Sequence, residues 1–96
     1  MSKTNHKTNI LIVDDHQLVI DGLKSMLANE KSYIIKGEAL NGQQALEMIV
    51  SKPNDYQLIV TDITMPLMSG IELCKIVKEQ FPHIKVLILS MHNRKF

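Results

Sequence analysis

Tryptophan is missing from this chain, and aromatic residues make up only 4% of it. So few flat rings argue against base stacking as a mode of action. There is one cysteine, Cys74, so no internal disulfide can form, and a reducing compartment is expected. No run approaches 18 consecutive apolar residues, so no membrane-crossing helix is expected. The opening MSKTNHKTN lacks the apolar stretch of a secretion signal, which makes the expected location cytoplasmic. Charge of one sign is also lacking. A formal net charge of +1 gives no electrostatic ground for binding nucleic acid or an anionic membrane. The four histidines, at 6, 16, 83 and 92, are scattered and have no cysteine partners, so zinc is not expected. No internal repeat or low-complexity stretch occurs. What remains is 96 residues, 45% hydrophobic and 22% charged, the composition of one small globular domain.

Beyond a polar, patternless tail over 1–7, two kinds of segment alternate. NILIV (9–13), QLIVT (57–61) and KVLILS (85–90) are apolar runs of strand length, and YIIKGEAL (33–40) is a weaker one. Gly37 inside it marks a bulge or a close approach. Between them lie helical patterns. QLVIDGLKSMLANE (17–30) spaces Val19, Leu23, Met26 and Leu27 for one face. NGQQALEMIVSK (41–52) starts at a capping Asn41, carries Ala45, Leu46, Ile49 and Val50, and stops at Pro53. SGIE (69–72) has the form of a capping box, opening a helix with Ile71, Cys74, Val77 and Phe81 that Pro82 ends. Cys74 at that spacing reads as a packed thiol, and the methionines as core filler. The order is β-α-β-α-β-α-β. Runs such as ILIV do not alternate polar with apolar, as expected of strands covered on both faces. The expectation is a three-layer α/β/α sandwich around a parallel sheet.

Acids fall at matching places in this pattern. Asp14 and Asp15 follow the first strand and Asp62 follows the third. Parallel strands end on one edge, where open α/β sheets bind ligands, and the three carboxylates converge there if the first and third strands are neighbours. Ser90, after the fourth strand, brings a hydroxyl to the same edge. Carboxylates so close together either raise a pKa or bind a cation, and all-oxygen ligation suits Mg²⁺. Each residue also has a plainer reading. Asp15 fits a helix N-cap, Asp62 a turn, Ser90 a bond to local backbone, and His16 and His92 solvated or hydrogen-bonded side chains. The joint pattern favours the site.

With those residues in place, the chain resembles the receiver domain of two-component response regulators. The likeness rests on ILIVDDH (10–16), IVTDITMPLMSGIEL (59–73) and VLILSMH (86–92). VDDHQLVIDGL and LSMH resemble the subfamily whose receivers precede a helix-turn-helix DNA-binding domain. The resemblance implies a flavodoxin-like sheet of order 2-1-3-4, over residues 8–96. It implies Asp62 as phosphoacceptor, Asp15 as a direct Mg²⁺ ligand and Asp14 as an indirect one. Thr64 would offer its backbone carbonyl to the metal, and Ser90 would be the switch hydroxyl. Pro66 and Gly70 would shape the loop after Asp62. The implied partner is a sensor histidine kinase, with DNA reached only through an output domain outside these residues. Such a domain is no turnover enzyme.

The family continues into a fourth helix, a fifth strand carrying an aromatic switch residue, a lysine that contacts the phosphoryl group, and a fifth helix. The expectation is therefore a receiver domain incomplete at its C-terminal side. Lys85 and Lys95 are not in place to substitute for that lysine. A phosphorylation-independent interaction module is the alternative. A hydrolase of the haloacid-dehalogenase type would need Asp-x-Asp after a strand, whereas here the acids are adjacent and DIT follows the third strand. With no fifth strand, KVLILS is an apolar sheet edge, and the chain is expected to self-associate as a dimer or by domain swapping. Light scattering checks this: association gives a mass above the monomer, while a monodisperse monomer with a cooperative melt runs against it.

Overall fold

A computed structural model describes residues 7–89. Four strands alternate with three helices: β1 (Thr8–Val13), α1 (Gln17–Leu27), β2 (Tyr33–Ala39), α2 (Gly42–Ser51), β3 (Leu58–Asp62), α3 (Gly70–Gln80) and β4 (Lys85–Leu89). The strands form one sheet in the order β2-β1-β3-β4, and every pairing is parallel. This is the flavodoxin-like α/β arrangement expected from the sequence. Among the described residues, no helix is long and apolar enough to cross a membrane.

The apolar run of β1 explains the layering. Ile10, Leu11, Ile12 and Val13 are all buried. Successive side chains of a strand point to opposite faces. Ile10 and Ile12 join Ile20 of α1 and Val60 of β3 in one core. Leu11 and Val13 enter the other core, with Ala45 and Ile49 of α2, Ile59 of β3, and Leu73 and Val77 of α3. Each fully buried Ile or Leu contributes about 1.5–3 kcal/mol relative to exposure. The helix starts follow local chemistry. Asn41 accepts a hydrogen bond from the Gln44 N–H at 2.8 Å. Ser69 and Glu72 form a reciprocal capping box, at 3.1 and 3.0 Å.

Two helical faces differ from the spacing read in the sequence. In α1 the buried residue is Ile20, with Leu23 and Leu27 packed beside it, while Met26 is 75% exposed. In α3 the buried stripe is Gly70, Leu73 and Val77. Ile71 is exposed and Cys74 is only partly buried. Both helices carry apolar residues on adjacent faces, and contact with the sheet selects between them. Val50 of α2 is likewise exposed.

β4 is an edge of the described sheet, and Leu87 on it is half-exposed. Beside it runs an apolar trough of about 300 Å³, lined by Leu23 and Leu27 of α1, Ile10, Val60, Leu87 and Leu89 among others. The polar tail and the residues from Ser90 onward, including His92 and Lys95, lie largely outside the described residues.

The irregularity foreseen at Gly37 takes both forms. Register shifts between Ile10, paired with Ile35, and Leu11, paired with Gly37, which leaves Lys36 as the extra residue. A Cβ on Gly37 would lie 2.9 Å from Met48 Cε, 2.9 Å from the Tyr56 hydroxyl and 3.1 Å from Leu11 Cδ1. Gly37→Val is therefore expected to lower stability by about 1–3 kcal/mol through overpacking, measured by urea denaturation followed by circular dichroism.

Candidate functional site

Both β1 and β3 end at the same sheet edge, and β3 ends on Asp62 itself. Asp14 follows β1 directly, and its N–H donates to the Ala39 carbonyl at 3.0 Å. The Asp14 side chain turns back on the chain: Oδ1 accepts the His16 N–H at 2.8 Å, an Asx-turn. Asp14 is thus buried, with 5% of its surface exposed, while Asp15 remains open to solvent. One ligand atom from each of Asp14, Asp15, His16 and Asp62 lies within 4.8 Å of all the others. Asp14, Asp15 and Asp62 therefore converge as the sequence pattern foresaw.

His16 belongs to the cluster as well: it is exposed and hydrogen-bonded, as its plainer reading had it, and its partners are the acids themselves. Its Nδ1 lies 2.9 Å from Asp14 Oδ1 and 3.1 Å from Asp15 Oδ1. The hydrogen bond to Asp14 raises the imidazole pKa above its ordinary value, and the Asp15 charge adds to this, with a smaller contribution from Asp62. A protonated imidazole so placed offsets part of the repulsion between the two carboxylates. The adjacency Asp-Asp-His was the available signal, but the ring's direction depends on a rotamer that spacing does not encode. The structure also corrects the capping role considered for Asp15. The residue at the N-cap of α1 is His16, and no side-chain cap bond forms. The Asp15 carboxylate meets His16 instead of the helix N–H groups.

Asp62 is held from several sides. Its Oδ1 accepts the Ile63 N–H at 2.8 Å, which fixes the rotation of the carboxylate. Its carbonyl accepts the Thr61 hydroxyl at 3.0 Å. The loop that follows closes where the Gly70 N–H donates to the Ile63 carbonyl at 2.9 Å. Within the loop, the Met68 N–H reaches the Pro66 carbonyl at 2.8 Å across Leu67, whose φ is +70°. That is a γ-turn of the strained sense, and such strain gathers at functional loops. Thr64 is exposed, two residues beyond Asp62. Ser90 lies outside the described residues, although Leu89 before it pairs in register with Asp62.

Three kinds of donor thus meet at the edge: carboxylates, an imidazole and the peptide groups that orient them. The carboxylate oxygens could hold a hard divalent cation. The family model for the response regulator receiver domain matches residues 10–96. Among curated proteins, the transcriptional regulatory protein DegU of Brevibacillus brevis is 35% identical over 88 residues, covering 92% of this chain and 36% of the relative. The nitrate/nitrite response regulator NarL of Escherichia coli is 31% identical over 86 residues, covering 90% and 39%. This chain therefore spans about two-fifths of the length of such relatives, between 36% and 41% for these and the similar MctR of Rhizobium johnstonii. Among solved structures, the signal receiver domain of the putative response regulator NarL from Mycobacterium tuberculosis superposes with a TM-score of 0.82 at 29% identity, over 93% of this chain and 70% of that one. The isolated receiver domain of RcsB from Salmonella enterica serovar Typhimurium, solved with phosphomimetic BeF3-, gives 0.80 at 30% identity, over 93% and 65%.

Gly70 is the tightest point of the assembly. A Cβ there would fall 2.0 Å from the Asp62 carbonyl oxygen, a backbone atom that cannot turn aside. Gly70→Ala is expected to cost about 3 kcal/mol or more, at the upper end of overpacking effects, read from the midpoint of a denaturant titration.

Proposed function

The chain belongs to the response regulator receiver domain family, and from that premise we propose that it is a phosphoacceptor. In this reading Asp62 takes a phosphoryl group from the phosphohistidine of a sensor histidine kinase. The observation that carries the reading is the convergence of Asp14, Asp15 and Asp62, with ligand atoms within 4.8 Å, where two central parallel strands end. A lone strand-end acid is commonplace; three on two neighbouring strands, one of them buried, are costly to assemble without a use.

The chemistry asks little covalent help from the protein, because phosphoryl transfer depends on positioning and charge neutralisation. An Asp62 carboxylate oxygen attacks phosphorus in line. The phosphorus–nitrogen bond to the kinase histidine breaks, and its electron pair stays on the imidazole. The Ile63 N–H holds the other carboxylate orientation in place during the approach. Gly70, pressed against the Asp62 carbonyl, keeps the backbone from drifting.

The donor set fits Mg²⁺, which prefers one or two carboxylates and further oxygens, and none of the residues needed is soft. Asp15 and Asp62 would hold it directly, together with the Thr64 carbonyl. Asp14 would act through water and hydrogen bonds, in keeping with its burial and with an oxygen already engaged by His16. When bound, the ion supplies the positive charge that offsets repulsion between the carboxylates and an incoming phosphoryl group.

Ser90 is proposed as the hydroxyl that hydrogen-bonds a phosphoryl oxygen and biases the two-state signalling surface. The proposed setting is cytoplasmic, with a helix-turn-helix output domain reading DNA and with self-association as the mode of partnering. No turnover is proposed, since the chain itself is the acceptor. Incubation with Mg²⁺ and acetyl phosphate is expected to add the mass of one phosphoryl group, detected by intact-protein mass spectrometry. Asp62→Asn is expected to add none. An unchanged mass in the unsubstituted chain would sink the reading for these 96 residues.

A further inference from the structure

The turn from β2 into α2, residues 39–42, holds no group that reacts, yet it touches both halves of the acidic site. The Ala39 carbonyl accepts the Asp14 N–H at 3.0 Å, where β1 gives way to the acidic pair. Three residues on, the Gly42 N–H donates to the Met68 carbonyl at 3.3 Å, in the loop that joins Asp62 to α3. The turn is itself fastened: Asn41 Oδ1 accepts the Gln44 N–H at 2.8 Å, and Gln44 Oε1 accepts the Leu40 N–H at 2.7 Å. Gly42 is buried, and a Cβ on it would lie 2.6 Å from the Met68 carbonyl oxygen, 2.8 Å from its Cβ and 2.9 Å from its Cγ. The first of these contacts is with backbone, so rotating the Met68 side chain cannot relieve it.

We propose that Gly42 is a positioning residue for the phosphoacceptor loop, and that the β2–α2 turn brackets the acidic site. Ala39 holds the Asp14 end and Gly42 holds the Asp62 end. The separation between the acidic pair and Asp62 is then set by a segment that contributes no ligand. Displacement travels a short path. Met68 is followed by Ser69, the cap of α3, and then by Gly70, which has no slack against the Asp62 carbonyl. A push on Met68 therefore reaches Asp62 instead of dissipating in the loop. The effect on phosphorylation rests on the phosphoacceptor reading; the effect on geometry does not.

Two amides report the geometry directly. The Ile63 N–H donates to Asp62 Oδ1 and the His16 N–H donates to Asp14 Oδ1, each at 2.8 Å. In ¹H–¹⁵N correlation spectra of the 96-residue chain, Gly42→Ala is expected to shift the Ile63 signal. Its phosphorylation rate with acetyl phosphate and Mg²⁺ should fall on the order of tenfold to a hundredfold, as misplacement of a reacting group does. Gly22→Ala is the matched control, because a Cβ there meets nothing within 4 Å. It should leave both readouts unchanged. An Ile63 signal that stays in place in a folded Gly42→Ala chain overturns the proposal, whatever the rate does. If the unsubstituted chain takes no phosphoryl group while Gly42→Ala still shifts Ile63, the bracket stands and the phosphoacceptor reading falls. If Gly42→Ala does not fold, Asn41→Ala removes the cap without adding an atom. A shifted Ile63 signal in that variant supports the bracket, and an unmoved one overturns it.

Discussion

Ile10, Leu11, Ile12 and Val13 are buried on both sides of the sheet, two against α1 and two against α2 and α3. A strand covered on both faces has to lie inside the sheet, with partners on each side, and β1 pairs with β2 and β3. Parallel pairing with β3 then brings two strand ends together. Since Asp14 and Asp62 occupy those ends, burying an apolar strand and gathering charge are consequences of one arrangement. Apolar burial fixes the position of groups that would not approach one another unaided.

The charge cluster is the cost of that arrangement. Two unit charges about 4 Å apart repel by about 1 kcal/mol in water and by about 4 kcal/mol at the effective dielectric near a protein surface. Three carboxylates with oxygens within 4.8 Å of one another therefore repel, and that repulsion opposes folding. His16 offsets some of this from the solvent side, with its ring against both Asp14 and Asp15. The peptide N–H groups of His16 and Ile63 offset more by donating to the carboxylates. What is left over is a place whose electrostatics call for positive charge.

Much of this was legible in the sequence, because it depends on signals that are local or strictly periodic. Asn41 and the Ser69–Glu72 box marked helix starts through bonds that span three residues. The strand runs followed from continuous burial, and convergence of Asp14, Asp15 and Asp62 followed from parallel topology once β1 and β3 were neighbours, an adjacency that only the family resemblance implied. The faces of α1 and α3 were less legible. Leu18, Val19, Ile20, Leu23, Met26 and Leu27 support more than one apolar stripe, and contact with β1 and β3 selects Ile20 while leaving Leu18 and Met26 exposed. His16 was hidden for a different reason: its role depends on ring direction, which spacing does not specify. Gly42 was hidden too, because its importance lies in a contact with Met68, from a different part of the chain.

The central position of β1 also bears on how the chain is made. Asn9, at the edge of the ILIV run, bonds Gln57, a residue 48 positions later. On a ribosome adding about 5–20 residues per second, that partner arrives roughly two to ten seconds after the strand it completes. Until then, one of the most apolar segments of the molecule has an open side. Pairing with β2 can come sooner, but β2 is the weaker, more exposed strand. The nascent chain thus passes through an interval in which its future centre is its stickiest surface, and the speed of synthesis through α2 sets how long that interval lasts.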